Sequence, residues 1–309
     1  MRWEEVEVGK PGAGEARLRH TAVGVNFIDV YNRSGLYPLA KFPVVIGREA
    51  AGVVEEVGSG VNALKAGDRV AYVDPMGSYA EARLHPADRL VKLPAEISDQ
   101  TAAAMMLKGL TAQYLLRRTY RLQPGETILV HAAAGGVGLI LCQWAKHLGA
   151  TVIGTVGSDE KATLAKGHGC DHPIVYTRED FVGRVKEITG GKGASVVYDS
   201  VGKDTFMGSL DCLRPLGMMV SYGQASGKIP PFDLGVLMVK GSLVLARPSL
   251  AHYAASRDDL VNAAQELFDV VVRGIVKIQV RHTYPLREAA QAHRDLEGRK
   301  TTGSIVLLP

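Results

Sequence analysis

The 309 residues, 46% of them hydrophobic and 22% charged, suffice for two globular domains with ordinary cores. Net charge is +4, but 36 Lys and Arg are interleaved with 32 Asp and Glu rather than gathered into blocks, which argues against a nucleic-acid partner and suits a small anionic one. The opening MRWEEVEV is charged without an apolar h-region, and no stretch reaches the roughly 18 apolar residues of a membrane span, so neither secretion nor membrane insertion is expected.

Up to Leu107 the chain is rich in β-branched residues and turn glycines, as in Val53-Val54-Glu55-Glu56-Val57-Gly58 and Gly67-Asp68-Arg69-Val70, which predicts a compact all-β or α+β unit. Its boundary is expected near Lys108-Gly109-Leu110-Thr111, just before a helix carrying Tyr114, Leu115 and Leu116. A Pro124-Gly125 turn then launches a strand, Thr127-Ile128-Leu129-Val130, and the sequence continues HAAAGGVGLILCQWAKHLG from His131. Val137, Ile140, Leu141, Trp144, Ala145 and Leu148 recur at helical spacing until Gly149 stops the helix. Strand, glycine turn and helix are thus contiguous. Gly135 and Gly138 take the second and third glycine positions of a GxGxxG fingerprint, with Ala133 in place of the first. A helix N-terminus offers free N–H groups and a positive dipole end, the setting for a dinucleotide pyrophosphate.

A glycine run alone can also be a simple loop, so its surroundings matter. Strand-like runs recur at Thr151 to Val156, Pro173 to Tyr176, Ser195 to Asp199, Met218 to Tyr222 and Leu243 to Ala246, separated mostly by segments of crossover length. This alternation predicts an α/β, doubly wound parallel sheet. Beyond Arg247-Pro248 the pattern gives a long helix through Asp259 to Val272, a strand near Ile275 to Val280, a helix around Arg287 to Leu296 and a terminal strand, Ser304 to Leu308. Spacing alone leaves open whether this tail extends the nucleotide sheet or returns to the first unit. The three cysteines, Cys142, Cys170 and Cys212, have no CxxC spacing and read as reduced residues in a reducing, cytoplasmic compartment.

Together with AAAGGVG, the segments GVNFIDVYNRSGLY (Gly24 to Tyr37), GREAAGVVEEVGSGV (Gly47 to Val61), LKGLTAQYLL (Leu107 to Leu116), GTVGSDEK (Gly154 to Lys161) and DSVG (Asp199 to Gly202) resemble the zinc-free quinone oxidoreductases of the medium-chain dehydrogenase/reductase superfamily, the zeta-crystallin group. The resemblance implies a GroES-like catalytic domain built from both chain ends (1–108 and 248–309), an inserted Rossmann domain (109–247), NADPH as cofactor and a homodimer joined through the nucleotide sheet. It also implies a further N-terminal hairpin in relatives, ahead of the stretch that starts here at Trp3. Zinc-dependent relatives carry Cys and His ligands where this chain has Asn26, Arg48 and the Leu107-Lys108 pair, and a four-cysteine lobe that has no counterpart here. No metal is therefore expected, and a tetrahedral N/S zinc site cannot be assembled from what remains.

Cofactor choice turns on the end of the second Rossmann strand, where NAD enzymes place an acid roughly 20 residues beyond the glycines. Asp159 stands near that distance, but Ser158 and Lys161 beside it offer a hydroxyl, amides and an ammonium suited to a 2′-phosphate. The plain alternative is a helix cap at Ser158-Asp159 with a solvated Lys161. The resemblance adds Tyr176 and Arg299 to the phosphate pocket, and matches Ala134, Gly135, Gly136, Val137 and Gly138 to the pyrophosphate. It places Asn26, Tyr31 and Thr111 against the nicotinamide, and Ser200, Tyr222, Gly223 and Arg247 along the cofactor. Tyr31 and Tyr37 read otherwise as aromatic packing. Tyr37 corresponds to the tyrosine that protonates carbon in related enoyl reductases.

The leading expectation is NADPH-dependent reduction of a quinone without metal, because hydride delivery to an electron-poor acceptor needs mainly proximity, orientation and a dry face. The nearest enzymatic alternative is an enone or enoyl reductase using Tyr37 as proton donor. A non-enzymatic alternative is a crystallin-like or RNA-binding NADPH-binding protein, against which stands the absence of any basic, aromatic-interleaved patch.

Overall fold

The computed structural model describes residues 1–309. The chain forms two units. The first comprises Met1–Leu110, Ala254–Val272 and Ile278–Pro309, and the second Thr111–Tyr253 with Arg273–Lys277. Return to the first unit thus begins at Ala254, later than the expected 248, and a short segment crosses back once more.

In the first unit, strand β1 (Glu15–Val25) leads into helix α1 (Phe27–Ser34), followed by β2 (Glu49–Val57), β3 (Arg69–Val73), β4 (Ala82–Pro86) and β5 (Val91–Lys92). Helix α2 (Asp99–Tyr114) contains the boundary between the units. It begins well before the helix expected after Lys108, and its start is fixed by Ser98, whose hydroxyl accepts the Thr101 N–H. Ala102 to Met106 are all buried, so the helix is apolar around its circumference and shows no stripe by which periodicity finds a helix.

The second unit holds β6 (Thr127–Val130), α3 (Gly136–His147), β7 (Thr151–Val156), α4 (Asp159–Lys166), β8 (His172–Val175), α5 (Phe181–Ile188), β9 (Ala194–Asp199), α6 (Phe206–Asp211), β10 (Leu213–Ser221), α7 (Gly235–Val239), β11 (Val244–Ala246) and α8 (Leu250–Tyr253). Its six strands lie in the order β11-β10-β9-β6-β7-β8, every pair parallel. That is the doubly wound order, whose switch point falls between β6 and β9, at whose carboxyl ends dinucleotides bind. Leu129, Ile153, Val197 and Met219 fill one face of this sheet against Val185, Phe206 and Leu210.

The tail decides the question that spacing left open. After α9 (Arg257–Val272), strands β12 (Val280–Pro285) and β13 (Ser304–Leu308), with α10 (Ala289–Glu297) between them, complete the first unit's sheet in the order β12-β13-β1-β2-β3-β5, β4 pairing β1. The strand expected at Ile275 to Val280 is corrected to β12: Val276 is buried among irregular backbone, whereas β12 reads Val-Arg-His-Thr-Tyr-Pro. An edge strand with alternate residues exposed has too few apolar side chains to announce itself. Leu18, Val54, Tyr72, Leu90, Ile305 and Leu307 form the core beneath this sheet, so both chain ends contribute to one interior.

Candidate active site

In the second unit, α3 starts directly from the glycine turn. Gly135 is its N-cap, and the amides of Gly136, Val137 and Gly138 lie in the first turn, where helix geometry supplies no acceptor. A Cβ on Gly138 would stand 2.3 Å from the Ala132 carbonyl oxygen and 2.8 Å from the Ala133 Cα, so only glycine lets the helix approach the strand end this closely. These residues fit a pyrophosphate cradle.

Behind the turn lies a buried polar chain. Thr155 Oγ1 is 2.8 Å from His131 Nδ1, and His131 Nε2 is 2.9 Å from Ser209 Oγ. Ser209 donates its hydrogen to Asp199 Oδ2 at 3.0 Å, so it accepts from Nε2–H, and Nδ1 accepts from Thr155. Burial lowers the pKa of His131, with Asp199 pulling the other way. Asp199 also accepts from Thr205 Oγ1 and from the Val201 and Gly202 N–H groups, which fixes the loop that carries Ser200. The network ties together the ends of β7, β6 and β9.

At the end of β7, Ser158 caps α4 by accepting the Lys161 N–H at 3.3 Å, and the serine still has its own hydrogen to donate. Tyr176 brings its hydroxyl to within 3.0 Å of where a Cβ on Gly157 would lie, which places it beside the residue that precedes the Ser158 cap. Asp159 is exposed and paired through both oxygens with Arg178, at 2.5 and 2.7 Å. This pairing takes up the acid that a ribose hydroxyl would need, and it adds a cation that sequence reasoning missed. Ser200 shares a side-chain hydrogen bond with Tyr222. Arg247 Nη1 donates to the carbonyls of Ser221 at 2.7 Å and Gly223 at 3.0 Å, holding that turn. Thr111 is buried and hydrogen-bonds the Tyr114 side chain.

In the first unit, Asn26 is the N-cap of α1: Asp29 Oδ2 accepts the Asn26 N–H at 2.9 Å, and the Asn26 backbone carbonyl accepts the Asp29 N–H at 3.1 Å. Asp29 also accepts from Tyr79 OH at 3.0 Å, and Tyr79 in turn meets His293 Nε2 at 2.9 Å. Burial pushes Asp29 up to about 7, opposed by these hydrogen bonds. Tyr31 and Tyr37 pack edge to face with centroids 5.2 Å apart, and the Tyr37 N–H donates to the Tyr31 carbonyl, so both readings of this pair are accommodated. Arg299 belongs to this unit, in the left-handed region after α10. Glu49, which sequence reasoning passed over, is fully buried beneath Asn26 and Lys108.

The profile of the zinc-binding dehydrogenase family matches residues 136–268, and that of the alcohol dehydrogenase GroES-like domain residues 12–95. A 2-haloacrylate reductase from Burkholderia is 53% identical over 99% of this chain and 94% of its own length. A quinone oxidoreductase from Pseudomonas aeruginosa is 52% identical over 100% of this chain and 95% of its own. The Escherichia coli quinone oxidoreductase solved in complex with NADPH superposes with a TM-score of 0.97 at 51% identity, covering 99% of this chain and 95% of that one. The chain belongs to the quinone oxidoreductases of the medium-chain dehydrogenase/reductase superfamily.

At the positions where zinc-dependent relatives hold metal, this quinone oxidoreductase commits two cations to carboxylates, Arg48 to Asp74 and Lys108 to Glu49. A guanidinium and an ammonium do not fit a zinc ion, and no three His, Cys, Asp or Glu side chains gather elsewhere in the chain.

Proposed function

We propose that this enzyme reduces quinones with NADPH and without a metal. The observation that supports the reading lies at the end of β7: both oxygens of Asp159 are engaged by Arg178, while Ser158 caps α4 with Lys161 in its first turn and the Tyr176 hydroxyl lies against Gly157. When bound, NADPH supplies a hydride. Gly136, Val137 and Gly138 hold its pyrophosphate through backbone N–H groups. Ser158, Lys161 and Tyr176 hold the 2′-phosphate, with Arg299 as a further cation. Asn26, Tyr31 and Thr111 orient the nicotinamide, and Ser200, Tyr222, Gly223 and Arg247 line the rest. Orientation and exclusion of water suffice for a quinone, because the oxyanion formed collects its proton from solvent. Three unpaired, buried cysteines support a cytoplasmic setting. The active species is a homodimer, paired through the β11 edge.

The 2-haloacrylate reductase relative favours a second reading, enone or enoyl reduction, in which Tyr37 protonates carbon. Steady-state NADPH oxidation with 1,4-benzoquinone, 1,2-naphthoquinone and an enone separates the two. A quinone reductase shows turnover with the quinones, and Tyr37→Phe changes kcat by less than about tenfold; an enone reductase loses about 10²–10³-fold. Turnover with the enone alone would refute the quinone assignment.

A further inference from the structure

Asn26 can orient a ring only if its amide is itself held, and the holder is a buried carboxylate on another strand. Glu49 opens β2, pairs with Gly24 of β1 in register, and is completely buried. Its Oε1 accepts from Asn26 Nδ2 at 2.9 Å and from Lys108 Nζ at 2.5 Å, and its Oε2 accepts the Leu107 N–H at 2.6 Å. A carboxylate only accepts, so the NH₂ end of the Asn26 amide is forced toward Glu49 and its oxygen end faces away from it. Lys108 supplies the counter-charge that a carboxylate out of water requires. Room for the arrangement comes from Gly24: a Cβ there would lie 2.3 Å from Glu49 Oε1 and 2.2 Å from the Ala103 carbonyl oxygen.

We propose that Glu49 is a positioning residue for the nicotinamide, acting through Asn26, with Lys108 and Gly24 making its position possible. This rests on the reading of Asn26 as a nicotinamide contact. Glu49 touches no part of the cofactor in this scheme; it fixes which way the amide faces and removes the rotational freedom that binding would otherwise have to quench.

The test is a double-mutant cycle of Glu49→Gln and Asn26→Ala in the full chain, read as dissociation constants for NADPH and for 2′-phospho-ADP-ribose, which lacks the nicotinamide. Glutamine has both donor and acceptor ends, so it no longer dictates the amide's direction. Expected is a loss of about tenfold for NADPH with Glu49→Gln, a change within about twofold for 2′-phospho-ADP-ribose, and no further loss once Asn26 is alanine. Equal losses for the two ligands, a full tenfold loss in the Asn26→Ala background, or a folded Glu49→Gln with wild-type NADPH affinity would each overturn the proposal. If the single variant does not fold, Glu49→Gln with Lys108→Met leaves no unpaired ion inside and is put through the same cycle. Because quinone turnover is not a readout here, failure of the functional reading and failure of this one are told apart. A silent Asn26→Ala would remove the contact on which the proposal stands.

Discussion

At the scale of single residues, the proposed 2′-phosphate pocket concentrates the electrostatics. Lys161 sits in the first turn of α4 beside the cap Ser158, with Asp159 of the same turn paired to Arg178, so the proposed phosphate would meet an ammonium, a hydroxyl and the helix's positive end. Lys161→Ala should therefore weaken NADPH by about 1.5–3 kcal/mol and spare NADH, and wild type should prefer NADPH; equal dissociation constants for the two cofactors in fluorescence titrations would exclude this pocket. Ser158 and Lys161 could be singled out in the sequence because they follow directly on a strand that periodicity reveals, whereas Tyr176 entered only through the family resemblance. Arg178 was passed over, since nothing in the local pattern says that it turns to Asp159. Glu49 was invisible for a stronger reason: its partner Lys108 is 59 positions away, and a buried charge has no signature until the chain is folded around it.

Among the elements, what the sequence disclosed follows from how completely each is covered. The β6-α3 unit was legible because strand, turn and helix are consecutive and the strand is buried on both faces. The α2 helix, buried over Ala102 to Met106, and the half-exposed β12 were displaced by one cause acting in opposite directions, since an element wrapped in apolar neighbours or half wetted loses the contrast that marks its period. Strand β11 is a consequence of covering still to come. It ends the six-stranded sheet with an unpaired ladder, Val244 is half exposed, and the neighbouring α7 has no buried residue, leaving Met238 at 71% and Val239 at 80% exposure. An apolar edge beside an apolar helix favours pairing with a second copy about a two-fold axis. Light scattering should give twice the monomer's 33.1 kDa, and Val244→Lys should shift the mass toward the monomer; a wild-type monomer at micromolar concentration would contradict the pairing.

For the molecule as a whole, stability depends on pH through groups that burial has moved in opposite directions. Burial lowers His20 to about 4, against a hydrogen bond to the Ala80 carbonyl, and lowers His293 to about 4 and His85 to about 3. A histidine with a depressed folded pKa contributes stability that is complete above the ordinary 6.5 and disappears as pH falls through the folded value. Asp29, raised to about 7 chiefly by burial, has the opposite sign: its contribution is complete below the ordinary carboxylate value of about 3.9 and is lost as pH rises through 7. Near pH 5, unfolding of the first unit makes His20, His85 and His293 take up three protons while Asp29 gives up one, a net uptake of two from these four groups. Two protons correspond to a fall of about 3 kcal/mol in stability for each pH unit of acidification. Asp29→Asn removes the opposing proton and should steepen this to about 4 kcal/mol per unit, because three protons are then taken up without compensation. Urea unfolding of the full chain between pH 4.5 and 6.5, followed by a probe in the first unit, measures both slopes. A wild-type slope near zero would mean that these histidines charge freely in the folded chain, and an Asp29→Asn slope equal to wild type would mean that Asp29 is already ionised at pH 5.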